Sequence, residues 1–356
     1  MSNQERKALI EEIQKERGSK LLIYFLGDRP RQETKIANDT VPLILEHLEA
    51  FGNSKQIDLF LYTKGGVITA PPRIVELIRE FTDKFCVLIP YRCHSAGTLI
   101  ALGANEITMA KMGELSPVEP QMMGGVEEPE PGRAIKIKPP VSVENFASYI
   151  SFAKEMVGIT EQAQLGTVLK ELTEKVSPVD LGGVHRANNL IRLIVKKLLR
   201  HHMRLAEHEQ KINEITDILI EKFFSHEYLI SRKEAKRLGL KIKDPDNKLE
   251  SRIWKLYKEY HSYLVLSEPF IGDAEVGDDQ EKDVILKRAV IESENMCHEF
   301  VSKIKLTKRP TPIPQIQQAI AQQKIPPEVA RQMMMQVPAE TVVQNLYWQG
   351  WELQQD

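Results

Sequence analysis

Ser95 is the residue whose setting points most directly to chemistry. It lies in Arg92-Cys93-His94-Ser95-Ala96-Gly97-Thr98, between the apolar run Phe85 to Pro90 and a helical pattern of small residues that includes Ala101, Gly103 and Ala104. A serine hydroxyl becomes a nucleophile when a sharp strand-to-helix turn exposes it and a base takes its proton. Backbone N–H groups must also face the oxygen on which negative charge develops. With Ser95 at a helix start, the N–H of Ala96 faces the reacting atom and the helix dipole favours an anion there. A second loop, Thr63-Lys64-Gly65-Gly66-Val67, follows another apolar run. Gly65 or Gly66 would supply the second donor, since adjacent glycines permit unusual dihedral angles and close approach of a substrate backbone. Each feature also has an ordinary reading: Ser95 as a helix N-cap, and the glycines as a plain turn.

Further candidates surround these two loops. His94 adjoins the nucleophile, but neighbouring side chains on such a turn diverge, so it is expected to shape the turn rather than act as base. His185 follows Asp180 by five residues and is a rival base, although its segment reads as a helix start. His201, His202 and His208 cluster on a charged helix; they would hold a metal only with a facing carboxylate, and a solvated face is the simpler reading.

The elements that must position these groups are legible from hydrophobic patterning. After a charged N-terminal helix over about residues 3–17, Leu21 to Leu26, Ile57 to Tyr62 and Phe85 to Pro90 are short continuous apolar runs, as expected of strands buried on both faces. Helical patterns separate them, one opening at Pro71-Pro72 and carrying Ile74, Leu77, Ile78 and Phe81. Strands alternating with helices predict an α/β fold with a largely parallel sheet, whose ligands meet the carboxyl ends of the strands. Both loops lie at such ends. Met122 to Pro140, rich in Gly and Pro, reads as an exposed loop bordering a substrate groove. Long helical patterns run from about Val143 to Glu174 and from about Leu181 to Phe224, and a short one covers Ile230 to Leu240. Past about Pro245 the composition shifts toward charge, Gln and Pro, which predicts a helical C-terminal extension over residues 246–356, with a methionine cluster, Met333 to Met335, used for packing.

Composition narrows the classes. The 48 basic and 50 acidic residues nearly cancel and are interspersed, so no broad field attracts nucleic acid or a membrane surface. Cys86, Cys93 and Cys297 are odd in number and lack CxxC spacing, which argues against a disulfide framework and a thiolate zinc site. The N-terminus has no apolar signal core and no run approaches the roughly 20 apolar residues of a membrane span. A cytoplasmic location is expected. No Walker loop or ligand cluster implies a nucleotide or metal, so no cofactor is expected, and any ATP dependence would come from a partner.

Taken in order, strand, Thr-Lys-Gly-Gly-Val, helix, strand, His-Ser-Ala-Gly-Thr and Leu-Ile-Ala-Leu-Gly-Ala resemble the Clp-protease/crotonase superfamily, and within it the serine dehydrogenase proteinases. Gly113 to Gln121 (GELSPVEPQ), Ser225 to Ile230 (SHEYLI) and Ser231 to Leu240 (SRKEAKRLGL) extend the resemblance, which covers about residues 15–245. It implies a protease domain over residues 1–245 and a serine-type peptidase with a Ser, Asp, His triad in that chain order. Ser95 matches the nucleophile, His226 the base, and Glu119 the carboxylate position, where the family has Asp and this chain an acid one methylene longer. Glu227, beside His226, is an alternative orienting acid. The resemblance also keeps three other readings open. In signal-peptide peptidase relatives a lysine of lowered pKa serves as base, with Lys136 and Lys138 as candidates. Crotonase relatives use the same oxyanion hole on acyl-CoA thioesters without needing a serine at the helix start. The fold is also compatible with a non-catalytic assembly module. Relatives form trimers, hexamers or larger rings, so a homo-oligomer acting on protein or peptide substrates is expected.

Overall fold

The computed structural model describes residues 3–118, 148–174, 176–204, 206–223, 225, 227–310, 328–329 and 340–354. Glu119, the Met122 to Pro140 loop with Lys136 and Lys138, His226, and Met333 to Met335 lie outside the described residues. The chain divides into two units, one built from residues 1–26, 35–259 and 291–295, the other from 27–34, 260–290 and 296–356.

The first unit contains the three apolar runs as strands: β1 (Lys20–Leu26), β2 (Ile57–Tyr62) and β3 (Phe85–Ile89). Almost every residue in them is buried, which explains why they show no polar alternation: a central parallel strand has no solvent face. Two shorter strands, β5 (Glu106–Met109) and β8 (Ile242–Lys243), complete a parallel array in the order β1, β2, β3, β5, β8. Helices α1 (Asn3–Arg17), α2 (Thr40–Phe51), α3 (Ala70–Phe81) and α4 (Ala96–Leu102) alternate with the strands. The prolines of the run opening α3 sit at its first positions, where a missing N–H loses nothing. All seven residues of α4 are buried, as its small residues require. Arg79 Nη2 fastens its far end by donating to Gly103 O at 2.7 Å and Asn105 Oδ1 at 3.0 Å.

At the amino ends of the strands, Asp58 is fully buried and accepts from Arg17, from Ser19 Oγ at 2.8 Å and from Gln56 Nε2 at 2.8 Å. This end is closed by a structural ion pair, which leaves the carboxyl ends for function.

Beyond residue 148, the described helices include α5 (Gln162–Thr173), α6 (Pro178–Arg200), α7 (Glu209–Glu221) and α8 (Arg232–Arg237). Three two-residue strands, β4 (Arg92–Cys93), β6 (Glu114–Leu115) and β7 (Ile230–Ser231), form a second small sheet in the order β4, β6, β7. Helix α9 (Asn247–Tyr263) follows.

The expected helical extension is corrected by the structure. In the second unit, a five-residue helix, α10 (Gly272–Val276), precedes three long strands, β9 (Glu281–Glu292), β10 (Cys297–Pro310) and β11 (Glu340–Leu353), with β10 between the other two. The register of β10 and β11 is antiparallel and shifts once, between Lys303 and Ile304. The physical reason is alternation: Ile304 and Leu306 are buried while Lys303 and Lys305 are not, a period of two that local composition had masked. Phe270, Val276, Leu286, Ile304 and Leu306 form the core of this unit.

Candidate active site

The loop after β2 and the turn before α4 meet. Thr63 N–H donates to Arg92 O at 2.9 Å and His94 N–H returns to Thr63 O at 3.0 Å. A methyl group built on Gly65 would stand 2.8 Å from Ser95 Cβ and 3.3 Å from Ser95 Oγ, so the glycine loop lies directly against the serine. Gly65 has φ 117°, a value that excludes ordinary side chains. Gly66 is required by proximity, since a methyl group there would fall 2.1 Å from Ile36 O.

Ser95 itself is strained. Its φ is 51° and ψ −110°, outside the regions that L-residues ordinarily occupy, and its side chain makes no capping hydrogen bond to α4. The ordinary N-cap reading of Ser95 therefore does not describe it. Such strain, of order 1–3 kcal/mol, persists only where the surroundings enforce it, and it clusters at active sites. Strand-to-helix turns with this geometry lift a serine oxygen clear of the backbone.

The donors around Ser95 separate by bonding. Gly65 N–H is committed to Thr63 Oγ1 at 2.9 Å. Gly66 forms a parallel bridge with Ile36, in which Ile36 N–H donates to Gly65 O and Val67 N–H to Ile36 O. In a bridge of this kind the central residue's own N–H points away from its partner strand. Gly66, rather than Gly65, is then the glycine with an N–H to offer a ligand. At the helix start, Gly97 N–H returns to His94 O at 2.8 Å, whereas Ala96 N–H belongs to the unpaired first turn.

His94 is bonded to a carboxylate of β6. Its Nε2 lies 2.9 Å from Glu114 Oε1, and Arg92 Nε is 3.8 Å from the same oxygen, so the ring ties β4 to β6. Cys93 is buried beneath α4, and burial pushes its thiol pKa well up, so the residue two positions from Ser95 is a packed thiol and not a competing nucleophile.

A row of pairings orders the rest of the site. Thr63 bridges Cys93, Cys93 pairs with Leu115, and Leu115 pairs with Ile230. Because β4 and β6 are parallel and β7 is antiparallel to β6, Ser95, Pro117 and Tyr228 each stand two residues beyond this row on the same side. Val118 is fixed by its N–H to Leu219 O of α7 at 3.0 Å. Glu227 is exposed, and its N–H bonds Ser225 Oγ at 3.2 Å. His185 is exposed on α6, where its Nε2 pairs with Asn189 Nδ2 at 3.0 Å, one turn along the same helix.

Two members of the histidine cluster pair with neighbouring elements. His201 Nε2 lies 3.3 Å from Glu76 Oε1, while His202 Nε2 donates to Leu102 O at 3.0 Å and so caps the end of α4. Among the described residues, no group of three or more His, Cys, Asp or Glu side chains is arranged to hold a metal ion. Burial pushes the His202 pKa down to about 4. Its unfolded-state value is about 6.5, so the unfolded chain binds more protons between these limits. The contribution of a neutral His202 is complete above about pH 6.5 and is lost as pH falls toward 4. In denaturant titrations at pH 7.5 and 4.5, His202→Asn is expected to reduce the acid-induced loss of stability by on the order of 2 kcal/mol. An unchanged difference between the two pH values would contradict this role.

Parallel strands bring a strained serine at a strand-to-helix turn and a glycine loop together at their carboxyl ends, where ligands meet α/β sheets. Residues 3–131 match the model of the ClpP-like SDH-type serine proteinases, so over that segment, which holds both loops, the chain is similar to that family. An uncharacterized protein of Methanocaldococcus jannaschii, MJ0137, is 28% identical over 217 residues, 61% of this chain and 63% of that protein. A second from the same organism, MJ1495, is 33% identical over 125 residues, 33% of this chain and 42% of that protein. The chain therefore spans less than two thirds of the length of either relative. Two structures of the 1510-N membrane-bound stomatin-specific protease, a mutant and another mutant in complex with a substrate peptide, are 16% and 19% identical. They have TM-scores of 0.33 and 0.34, each cover 61% of this chain, and are themselves covered to 79% and 75%. No helix among the described residues is long and apolar enough to cross a membrane.

Proposed function

We propose that this protein is a serine-type peptidase in which Ser95 is the nucleophile. The observation that carries this reading is the Ser95 backbone, held at φ 51° and ψ −110° against Gly65 at the start of a buried helix. Ser95 Oγ attacks the substrate carbonyl, and the Gly66 and Ala96 N–H groups receive the negative oxygen. The serine proton passes to His226, which returns it to the departing amine, so that a C–N bond breaks as the acyl C–O bond forms. Water then attacks the acyl-enzyme, gives its proton to His226, and releases the acid with Ser95 restored.

Support for His226 as base and Glu119 as its orienting acid comes from the small sheet. Pro117 and Tyr228 stand on the same side of the paired row as Ser95, and in sequence Glu119 follows Pro117 by two residues while His226 precedes Tyr228 by two. Glu227 is the alternative acid. The protease part corresponds to residues 1–245, with residues 246–356 as an appended segment. The protein works in the cytoplasm as a homo-oligomer on protein or peptide substrates.

The test of the base is the rate at which a fluorophosphonate labels the full-length protein. His226→Ala is expected to slow labelling by about 100-fold to 10,000-fold, while Lys136→Ala and Lys138→Ala leave it unchanged. Loss of labelling in Lys138→Ala with retention in His226→Ala would assign a Ser–Lys dyad instead.

A further inference from the structure

We infer that Ser116 is a positioning residue for Ser95, a role that rests on the reading of Ser95 as the nucleophile. The Ser95 backbone N–H, at the start of α4, finds a buried acceptor outside the helix. At φ 51° the Ser95 N–H is not directed into the turns of α4; it donates instead to Ser116 Oγ at 2.8 Å. Ser116 is 1% exposed and Ser95 7% exposed, so water does not replace this bond readily.

The Ser116 hydroxyl is itself oriented. Its proton goes to Pro117 O at 3.0 Å, which turns a lone pair toward Ser95. The Ser116 backbone is clamped on both sides by Thr98 of α4: its N–H donates to Thr98 Oγ1 at 3.2 Å, and Thr98 Oγ1 donates to Ser116 O at 2.9 Å. Thr98 Oγ1 also lies 3.1 Å from Cys93 O, the last residue of β4. Three buried hydroxyl-bearing residues thus lock the nucleophile turn to the loop that follows β6. Fully satisfied networks of this kind fix a single local geometry.

The consequence for catalysis is specific. Without an acceptor at Ser116, nothing in this network opposes relaxation of the Ser95 backbone toward an ordinary helix start. Ser95 Oγ would then move relative to the Gly66 and Ala96 N–H groups. Misplacement of reacting groups by about 1 Å reduces rates about 100-fold.

The experiment measures the saturating rate and half-saturating concentration of fluorophosphonate labelling at Ser95 in the full-length protein. Ser116→Ala, and Ser116→Cys, which keeps the volume but offers a poor acceptor, are expected to lower the saturating rate about 100-fold. The half-saturating concentration should stay unchanged, and Ser116→Thr, which keeps the hydroxyl, should recover most of the loss. Wild-type rates in Ser116→Ala or Ser116→Cys, with Ser95 labelled normally, would overturn the positioning role. Should Ser116→Ala fail to fold, Ser116→Cys decides alone. Absence of label on the wild-type protein would instead remove the nucleophile reading on which the role rests.

Discussion

Ser95→Ala is expected to abolish peptide hydrolysis, lowering kcat by at least about 10,000-fold, because the proposed acyl-enzyme forms on that hydroxyl. Ser95→Gly adds a second result of opposite sign. The native backbone at φ 51° strains any L-residue by about 1–3 kcal/mol, and glycine removes that strain. Glycine also raises the entropy of the unfolded chain by about 0.5–1 kcal/mol, which offsets part of the gain. The net expectation is a glycine variant that is inactive and more stable than wild type by about 1 kcal/mol, read from denaturant titration. A glycine variant that is clearly less stable would show that the turn is unstrained and that its geometry is not held for chemistry.

Gly66→Ala has the next largest expected effect. An added methyl group would lie 2.1 Å from Ile36 O and 2.4 Å from Ile36 N, both backbone atoms without the freedom of a side-chain end. The loop must therefore move, and the bonds at 2.9 Å from Ile36 N–H to Gly65 O and at 2.8 Å from Val67 N–H to Ile36 O open with it. The Gly66 N–H moves with it, and under the proposed mechanism the loss of one oxyanion donor lowers kcat by about 100-fold to 1,000-fold. KM should change little, because the bond is made chiefly in the transition state. A variant with unaltered kcat would exclude Gly66 from the oxyanion site.

Much of the first unit was legible because its signals are local. Leu21 to Leu26, Ile57 to Tyr62 and Phe85 to Pro90 coincide within a residue with β1, β2 and β3, since burial on both faces demands uninterrupted apolar runs. The two site loops followed from what glycine and a helix-start serine permit. The choice between Gly65 and Gly66 could not, because it depends on where Thr63 Oγ1 sits and how Ile36 bridges the loop.

Ser116 was hidden for a similar reason. Within Gly-Glu-Leu-Ser-Pro it looks like an ordinary turn serine, and only the pairing of β4 with β6 brings it to Ser95. Strands of two residues carry no periodicity, so that small sheet had no signature in sequence. The C-terminal strands did have one, in Ile304 and Leu306 alternating with Lys303 and Lys305, but the charge and Gln content of the surrounding segment favoured a helical reading.

The most direct measurement is peptide mapping by mass spectrometry of the full-length wild-type protein after treatment with a fluorophosphonate. One adduct is expected, on the peptide containing Ser95. An adduct on a different residue, or none on a folded protein, would contradict the assignment of Ser95 as the nucleophile.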